Sequence, residues 1–164
     1  MPDRPTQKVK FFTIFGLVIG ILGLIGTGCS KKEPRYPEDH ARFQRLVEAL
    51  NTLERAYVNQ DSAAIHELLL PLEVLEVFEA NVQKDFAEFS VVDIVLNIDR
   101  VAIEGDHIST FISWQGSWQR SIDSPPTQAQ GHGVLLWSGR QVILLRGVEG
   151  ELPFGVSKRP DFSS

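Results

Sequence analysis

The apolar residues of this 164-residue chain change their spacing near Phe89. Before Phe89 they recur at steps of three and four, as on the buried side of an amphipathic helix. After it they alternate with polar residues, as in a strand that buries one face. The sequence therefore predicts helices first and a sheet after them.

Three helices are predicted before the change of spacing. The first runs from Glu38 to about Asn59, and its apolar positions are Phe43, Leu46, Val47, Leu50, Leu53 and Tyr57. Asp61 is a good cap for a short second helix, because its carboxylate accepts hydrogen bonds from free backbone N–H groups at a helix start. Pro71 ends that helix and can open a third. The apolar positions of the third helix are Leu72, Leu75, Val77, Phe78, Val82 and Phe86.

About four strands are predicted after the change of spacing. In the first, the apolar parity shifts past Asp99, which indicates a bulge, and residues 104–106 (Glu-Gly-Asp) are typical of a hairpin turn. The second strand alternates most clearly, and its predicted core face holds Ile108, Thr110, Ile112, Trp114, Gly116 and Trp118. The last two strands are predicted over about 130–137 and 140–148. Residues 142–145 are apolar on both faces, so we expect their outer face to be covered.

An apolar run over 11–25 follows a basic start and leads through three small residues into Cys29, the only cysteine of the chain. Its length suits the core of a signal peptide and is short of the roughly 20 residues that a helix needs to span a bilayer. Residues 26–29 (Gly-Thr-Gly-Cys) resemble the lipobox of bacterial lipoproteins, where signal peptidase II cuts before a cysteine that carries lipid. The resemblance implies a lipoprotein signal peptide over 1–28 and a lipidated tether over 29–37. An uncleaved membrane anchor and an incidental cysteine are the alternatives.

A processed lipoprotein would be held in the bacterial cell envelope by acyl chains such as palmitate on Cys29, and Ser30, where an aspartate would signal inner-membrane retention, favours the outer membrane. Removing the leader leaves 13 Lys and Arg residues against 20 Asp and Glu residues, a formal charge near −7. An acidic domain without a basic stripe is a poor candidate for nucleic-acid binding. With its only thiol lipidated, the domain has no cysteine for catalysis or metal binding.

The sequence carries no motif for a metal or a cofactor. His40, His66 and His107 are scattered and lack the HxxxH or HExxH spacing of zinc sites. There is also no GxSxG motif, no phosphate-binding glycine loop and no dinucleotide fingerprint. We therefore expect neither a bound metal nor a cofactor.

The order of elements resembles that of the nuclear transport factor 2-like superfamily, a cone-shaped α+β fold (the cystatin-like cone) shared by SnoaL-like proteins. The likeness is carried by a leucine-rich first helix, a polar turn and a short second helix, at Leu46, Leu50, Leu53, Ala56, Tyr57, 59–61, Ala64, Ile65, Leu68 and Leu69. Residues 147–155 resemble a turn that closes the end of the sheet. The resemblance implies one α+β domain over 38–155, with three helices packed on a bent antiparallel sheet, and leaves 156–164 as a C-terminal tail. It implies no particular activity, because members range from isomerases and dehydratases to binding modules.

Five residues are candidates for a site between the concave sheet face and the helices, where enzymes of this superfamily keep a pocket. Trp114 and Trp118 lie four apart on one strand, so they could line a pocket with their indole N–H groups as donors, or fill the core. Tyr57 is a third candidate ligand contact, although we expect it to pack with its hydroxyl at the surface. Asp93 and His132 are the candidates for proton transfer. The alternative puts Asp93 on a solvated outer face and His132 on a partly exposed strand.

We therefore expect a lipid-anchored cell-envelope protein that acts as a non-enzymatic ligand- or partner-binding module. The alternatives are a small pocket enzyme of the isomerase, hydrolase or dehydratase type using Asp93 or His132, and a structural spacer. The expected partners are the membrane, through acyl chains on Cys29, and a second copy of the chain, since the convex sheet face often pairs two subunits in this superfamily. Phe111 and the outward-facing residues of 142–145 would line that homodimer seam.

Overall fold

The helices precede the sheet in a computed structural model that describes residues 37–162. The helices are α1 (Pro37–Val58), α2 (Ser62–Glu67) and α3 (Glu73–Glu88), and the strands are β1 (Val91–Glu104), β2 (His107–Gln119), β3 (Thr127–Ser138) and β4 (Leu144–Gly150). Two 3₁₀ helices, Val156–Lys158 and Pro160–Phe162, end the described chain. The predicted α+β class, with three helices on a four-stranded antiparallel sheet, is confirmed.

The predicted signal peptide and lipidation site lie outside the described residues. This holds for residues 1–28, for Cys29 and for the tether up to residue 36. Within residues 37–162, no helix combines the length and the apolar character that crossing a bilayer requires. The anchor therefore stays a prediction.

Local chemistry explains where α1 ends and α2 begins. Gln60 has a left-handed φ of 56°, a conformation that a right-handed helix cannot continue. Asp61 then caps α2, because its side chain accepts a hydrogen bond from the N–H of Ala64 at 3.0 Å. The predicted cap is confirmed.

The buried side of α3 differs from the predicted one at two positions. Its buried residues fall at steps of three and four: Leu75, Phe78, Val82 and Asp85. Leu72 is the residue that precedes the helix, and it is exposed. Val77 is also exposed, because each step along a helix turns the side chain by about 100° and carries it off the buried stripe. The prediction of core positions at 72 and 77 is wrong.

The strands form one antiparallel sheet in the order β1-β2-β3-β4, so each strand pairs with the next in the chain. The predicted bulge lies between Ile98 and Arg100. The last strand begins at Leu144 and not at Arg140. One reason is that the backbone carbonyl of Arg140 accepts a hydrogen bond from the side chain of Arg45 at 2.7 Å instead of a ladder bond.

Residues just before and within β4 are not covered on their outer side as predicted. Ile143 and Leu145 face the core and are buried. Leu144 is half-buried on the outer side, and Val142 is 67% exposed. The prediction of a covered outer face is therefore wrong at Val142, which lies in the bend that precedes the strand.

Groups outside the sheet contact both of its edges. At β4, the N–H of Leu70 donates to the carbonyl of Leu145 at 2.9 Å, and the N–H of Leu145 donates to the carbonyl of Leu68 at 2.8 Å. At β1, the N–H of Leu96 donates to the carboxylate of Glu54 in α1 at 2.9 Å. These contacts interrupt the row of free backbone groups that an edge strand otherwise presents.

Residues 151–162, called the C-terminal segment below, pack between the helices and the inner face of the sheet. Its buried apolar residues are Leu152, Pro153, Phe154, Val156 and Phe162. The centroids of the Phe154 and Tyr57 rings are 4.9 Å apart, and those of the Phe162 and Trp118 rings are 5.2 Å apart. Tyr57 belongs to α1 and Trp118 to β2. The predicted tail over 156–164 is thus wrong for 156–162, because two apolar side chains of this stretch belong to the core.

Candidate functional site

The inner face of the sheet carries a cluster of aromatic rings. Trp114 and Trp118 project from β2 as predicted for one face, and their rings meet edge to face at 6.1 Å. Both are buried, and Tyr57 from α1 has no exposed surface. The structure therefore brings the three candidate ligand contacts into one region, where they pack against the core.

The hydroxyl of Tyr57 is held inside the domain by two hydrogen bonds. It donates to Oδ2 of Asp85 at 2.7 Å and accepts from Nε1 of Trp118 at 3.1 Å. Burial, followed by the nearby Asp85 carboxylate, raises the pKa of Tyr57 far above its ordinary value, so the phenol stays protonated and acts as a donor. The expectation of a hydroxyl at the surface is wrong, because Asp85 supplies a buried acceptor.

Asp85 joins α3 to the C-terminal segment. Its carboxyl group has no exposed surface, and it accepts backbone hydrogen bonds from Gly155 at 2.5 Å, Val156 at 3.2 Å and Ser157 at 2.9 Å. These N–H groups lie at the start of a 3₁₀ helix, where they have no partner within the helix. With the Tyr57 hydroxyl, Asp85 accepts from four donors, of which three reach Oδ2 and the N–H of Ser157 reaches Oδ1. Asp85 is buried and both of its oxygens are hydrogen-bonded within the domain, so it has no exposed surface at which to take a proton from a substrate.

Sequence reasoning missed Asp85 as a site residue. It follows Val82 by three positions and Phe78 by seven, so helical spacing places it on the buried side of α3. A single ionisable residue on an otherwise apolar side is a signal for a buried polar network. The partners, 70 to 72 residues further along the chain, carry no such signal.

The indole N–H groups of Trp114 and Trp118 are also occupied. Nε1 of Trp114 donates to the backbone carbonyl of Glu151 at 2.8 Å, and the guanidinium of Arg159 lies 5.5 Å from the Trp114 ring. Arg120, directly after β2, donates to the carbonyl of Phe162. The C-terminal segment thus occupies the hydrogen-bond donors of Trp114 and Arg120, which a ligand in this region could otherwise use.

The two candidates for proton transfer lie on the outer face of the sheet, away from the aromatic cluster. Asp93 is exposed and borders a groove of about 420 Å³. The His132 side chain is 82% exposed, with Nδ1 3.8 Å from Oδ2 of Asp99. Ser113 donates to Asp99 at 2.9 Å, so the hydroxyl is bound by the carboxylate and not by the imidazole. This arrangement lacks the nucleophile–base contact of a catalytic triad.

Away from Asp93 and His132, one row of the outer face has two apolar side chains flanked by a positive residue at one end and a negative residue at the other. The row contains one residue from each strand, paired in register from β1 to β4: Arg100, Phe111, Val134 and Glu149. The guanidinium of Arg100 lies 3.8 Å from the centre of the Phe111 ring. This set of four residues is called the charged row below.

Metal ligands are not clustered in the part of the chain that the structure describes. Within residues 37–162, no three His, Cys, Asp or Glu side chains lie close enough to hold an ion. His66 pairs with Glu79 across 3.1 Å on the surface of the helices.

Comparison with known proteins establishes the fold and no more. No family model matches the sequence, and no curated protein matches it. A nuclear transport factor 2-like superfamily protein from Salmonella enterica superposes with a TM-score of 0.58 at 12% identity, over 73% of this chain and 98% of that one. A candidate dehydratase of the same family from Streptomyces avermitilis gives 0.59 at 10% identity, over 67% of this chain and 95% of that one. A protein from Kribbella flavida superposes with a TM-score of 0.59 at 13% identity, over 68% of this chain and 90% of that one.

The described domain therefore has the nuclear transport factor 2-like fold. Solved structures with this fold include a protein described as a candidate dehydratase and others described only by their fold. A shared fold at this level of identity does not carry an activity from one protein to another.

Proposed function

We propose that this chain is a non-enzymatic binding module of the bacterial cell envelope, lipid-anchored through Cys29, which binds its partner with the outer face of its sheet. The observation that carries the proposal is that Asp85, the wholly buried acid among residues 37–162, has both oxygens hydrogen-bonded within the domain. Its hydrogen bonds go to Tyr57 and to the C-terminal segment, so they serve the fold. The indole donors beside it serve the C-terminal segment and Tyr57 in the same way.

The alternative of a small pocket enzyme has less support. It needs Asp93 or His132 next to the aromatic cluster, and both are exposed on the opposite side of the sheet. The likeness to a candidate dehydratase does not restore it, because that likeness extends to the fold alone.

The partner that the outer face fits best is a second copy of the chain. A two-fold axis parallel to the strands would reverse the charged row, so that Arg100 of one copy meets Glu149 of the other and Phe111 meets Val134. A two-fold axis across the strands would instead set like charges against each other. The row is thus self-complementary in one orientation, as an interface between identical subunits requires.

Native mass spectrometry and light scattering of residues 33–164 would test this arrangement. We expect a dimer that Phe111→Glu converts to monomer, because the substitution removes the apolar ring from the seam, places a carboxylate against Val134 of the other copy and draws Arg100 away from Glu149 of that copy. Gln115→Glu is the matched control, since it adds the same charge to the same strand and face outside the charged row. A monomeric domain, or a dimer that Phe111→Glu leaves intact, would refute the outer-face seam.

Exchanging the charges of Arg100 and Glu149 distinguishes a dimer in the proposed orientation from one held only by apolar contacts in any orientation. Arg100→Glu should weaken the dimer, because it would face Glu149 of the other copy, and Arg100→Glu with Glu149→Arg should restore it. If the double variant is no tighter than the single one, the row is not aligned as proposed.

The anchor is tested on the full chain in a Gram-negative host. We expect incorporation of an alkyne-tagged palmitate that is lost in Cys29→Ala, together with accumulation of the uncut precursor when signal peptidase II is inhibited. A chain that carries no label, or whose label persists in Cys29→Ala, would contradict the lipoprotein assignment.

A further inference from the structure

A cavity of about 660 Å³ lies at the end of the domain where α1 begins. Three elements line this cavity, called the α1 cavity below: the first turns of α1, the turn between β1 and β2, and the loop between β3 and β4. Arg42 in its wall precedes Tyr57 by fifteen residues on α1, about 22 Å along the helix axis, so the cavity is separate from the aromatic cluster. Its charged lining residues are Glu38, Asp39, Arg42, Arg45 and Arg140.

Arg42 is fixed in the wall of the α1 cavity with one donor group unused. It is only 8% exposed. Its Nε donates to the carbonyl of Gly139 at 3.0 Å, and its Nη1 donates to the carbonyl of Gly105 at 2.6 Å. Its Nη2 is buried and has no hydrogen-bond acceptor within residues 37–162. Because a buried charged group is normally paired, this guanidinium is a donor suited to an anionic ligand.

Two further guanidinium groups line the same cavity. Arg45 follows Arg42 by three residues on α1, and its Nη1 donates to the backbone carbonyl of Arg140 at 2.7 Å. Nε of Arg140 donates to Oδ1 of Asp106 at 2.5 Å, and the Arg140 side chain is still 70% exposed. Each of these contacts uses one of the five N–H donors of a guanidinium. Arg45 and Arg140 therefore keep donors for a bound anion.

The first turn of α1 adds two carboxylates to the lining of the α1 cavity. Glu38 and Asp39 are both exposed, and they lie at the end of the helix where the dipole favours negative charge. These carboxylates would repel a simple anion bound to the guanidinium groups. A ligand that carries a negative and a positive group would instead be attracted by both sets of side chains.

We propose that the α1 cavity binds a phosphoethanolamine group, a phosphate ester with an ammonium two carbons from the ester oxygen. The phosphate is bound by Arg42, Arg45 and Arg140, because the planar fork of arginine matches phosphate oxygens. The ammonium is bound by Glu38 and Asp39. The volume of the cavity falls within the range of small-molecule sites. This inference goes beyond the proposed function, since association with a second copy through the sheet uses none of these residues.

Phosphoethanolamine occurs both as the headgroup of a membrane phospholipid and in soluble compounds. The position of the cavity in the chain favours the headgroup. Cys29 precedes Pro37, where α1 begins, by eight residues, and eight residues span at most about 29 Å. A chain anchored at Cys29 would therefore keep the α1 cavity within reach of headgroups. This choice of source rests on the proposed anchor, whereas the binding chemistry does not.

NMR of the full chain in a non-ionic detergent tests the chemistry through the Nε–H resonance of Arg42, which is identified by its loss in Arg42→Lys. Glycerophosphoethanolamine supplies the headgroup without acyl chains, glycerol 3-phosphate lacks the ammonium, and ethanolamine lacks the phosphate. We expect glycerophosphoethanolamine to shift the resonance saturably and the other two to bind at least about tenfold more weakly. The proposal is refuted if glycerophosphoethanolamine causes no saturable shift, or if glycerol 3-phosphate binds as tightly, as at a general anion site.

Replacing the two carboxylates tests the ammonium half of the site. Glu38→Gln with Asp39→Asn changes exposed side chains only, so the fold should be kept even if Arg42→Lys fails to fold. The affinity for glycerophosphoethanolamine should fall about tenfold, whereas that for glycerol 3-phosphate should not fall. Glu48→Gln is the matched control, because it removes an exposed carboxylate of α1 outside the cavity. A double variant that still prefers glycerophosphoethanolamine would overturn the proposal.

Mixed micelles distinguish the two sources of the ligand. Detergent micelles doped with phosphatidylethanolamine should shift the Arg42 resonance, and equal doping with phosphatidylglycerol, whose headgroup has a phosphate and no ammonium, should not. A response to glycerophosphoethanolamine without a response to phosphatidylethanolamine would overturn the membrane source and identify the ligand as a soluble compound. Palmitate labelling of Cys29 reports the anchor separately, so failure of the anchor and failure of the α1 cavity give different results.

Discussion

Replacing Asp85 with alanine should destabilise the domain more than any exposed acidic substitution. The carboxylate accepts from four donors, and two of them, on Tyr57 and Val156, belong to residues with no exposed surface. A buried donor left without a partner costs about 1–3 kcal/mol, so these two account for about 2–6 kcal/mol. The N–H groups of Gly155 and Ser157 are half-buried, so water can satisfy them in part. Removing a buried charge offsets some of the loss.

We therefore expect Asp85→Ala to lower the free energy of unfolding by about 4 kcal/mol. Domains of this kind are stable by roughly 5–15 kcal/mol, so the variant should still fold. Equilibrium urea denaturation of residues 33–164, followed by tryptophan fluorescence and circular dichroism, measures the difference. Asp93→Ala is the control, because this exposed carboxylate on the outer face should change the stability by less than about 0.5 kcal/mol.

A double-mutant cycle tests the cause of the loss. Tyr57→Phe removes one donor to Asp85 and should lower the stability by about 1–2 kcal/mol on its own. Combined with Asp85→Ala, it should cost about 1 kcal/mol less than the sum of the two single changes, because the shared hydrogen bond is lost only once. Additive effects would show that the Tyr57 hydrogen bond is not part of the loss, and an Asp85→Ala variant within about 1 kcal/mol of the wild type would show that Asp85 does not hold the segment.

Three smaller predictions follow from single positions. Thr110 has a buried hydroxyl with no hydrogen-bond partner within residues 37–162, so Thr110→Val should raise the urea midpoint or leave it unchanged, and a clear fall would refute this. Gly139 has a φ of 121°, and a Cβ there would lie 1.8 Å from the carbonyl oxygen of Val142, so Gly139→Ala should cost about 2 kcal/mol or more in the same assay. The Arg140 guanidinium holds the pKa of Asp106 below its usual range; the stabilisation of this pair is therefore present at neutral pH and is lost as the pH falls through the depressed pKa. Titration by NMR should show that pKa returning to the usual range in Arg140→Ala, and an unmoved pKa would contradict the pairing.

The sequence predicts the elements of this fold because each depends on neighbours in the chain. The cap at Asp61, the bulge after Ile98 and the inner face of β2 all follow from local chemistry or from side-chain period. The start of β4 could not be predicted in this way. It depends on Arg45, a residue about a hundred positions earlier, which takes the carbonyl of Arg140 out of the ladder.

The candidate site shows the same division. Strand period correctly places Trp114 and Trp118 on one face, and it allows the outer-face position of Asp93 as the alternative. The link between Asp85 and residues 155–157 joins parts of the chain about 70 residues apart, and periodicity contains no information on such a contact. The same limit explains why the C-terminal segment was expected to be a tail.

The contact of Glu54 with the free edge of β1 bears on how copies of this domain can assemble. An open strand edge is a template on which further strands can pair, and repeated pairing of this kind builds fibres. Here a carboxylate already holds the N–H of Leu96, and residues 68–70 pair with the opposite edge. Growth by strand addition would first have to displace both. Association through the sheet face about a two-fold axis stops at two copies, which would suit the proposed lipid-anchored protein, since an anchor concentrates copies on one surface.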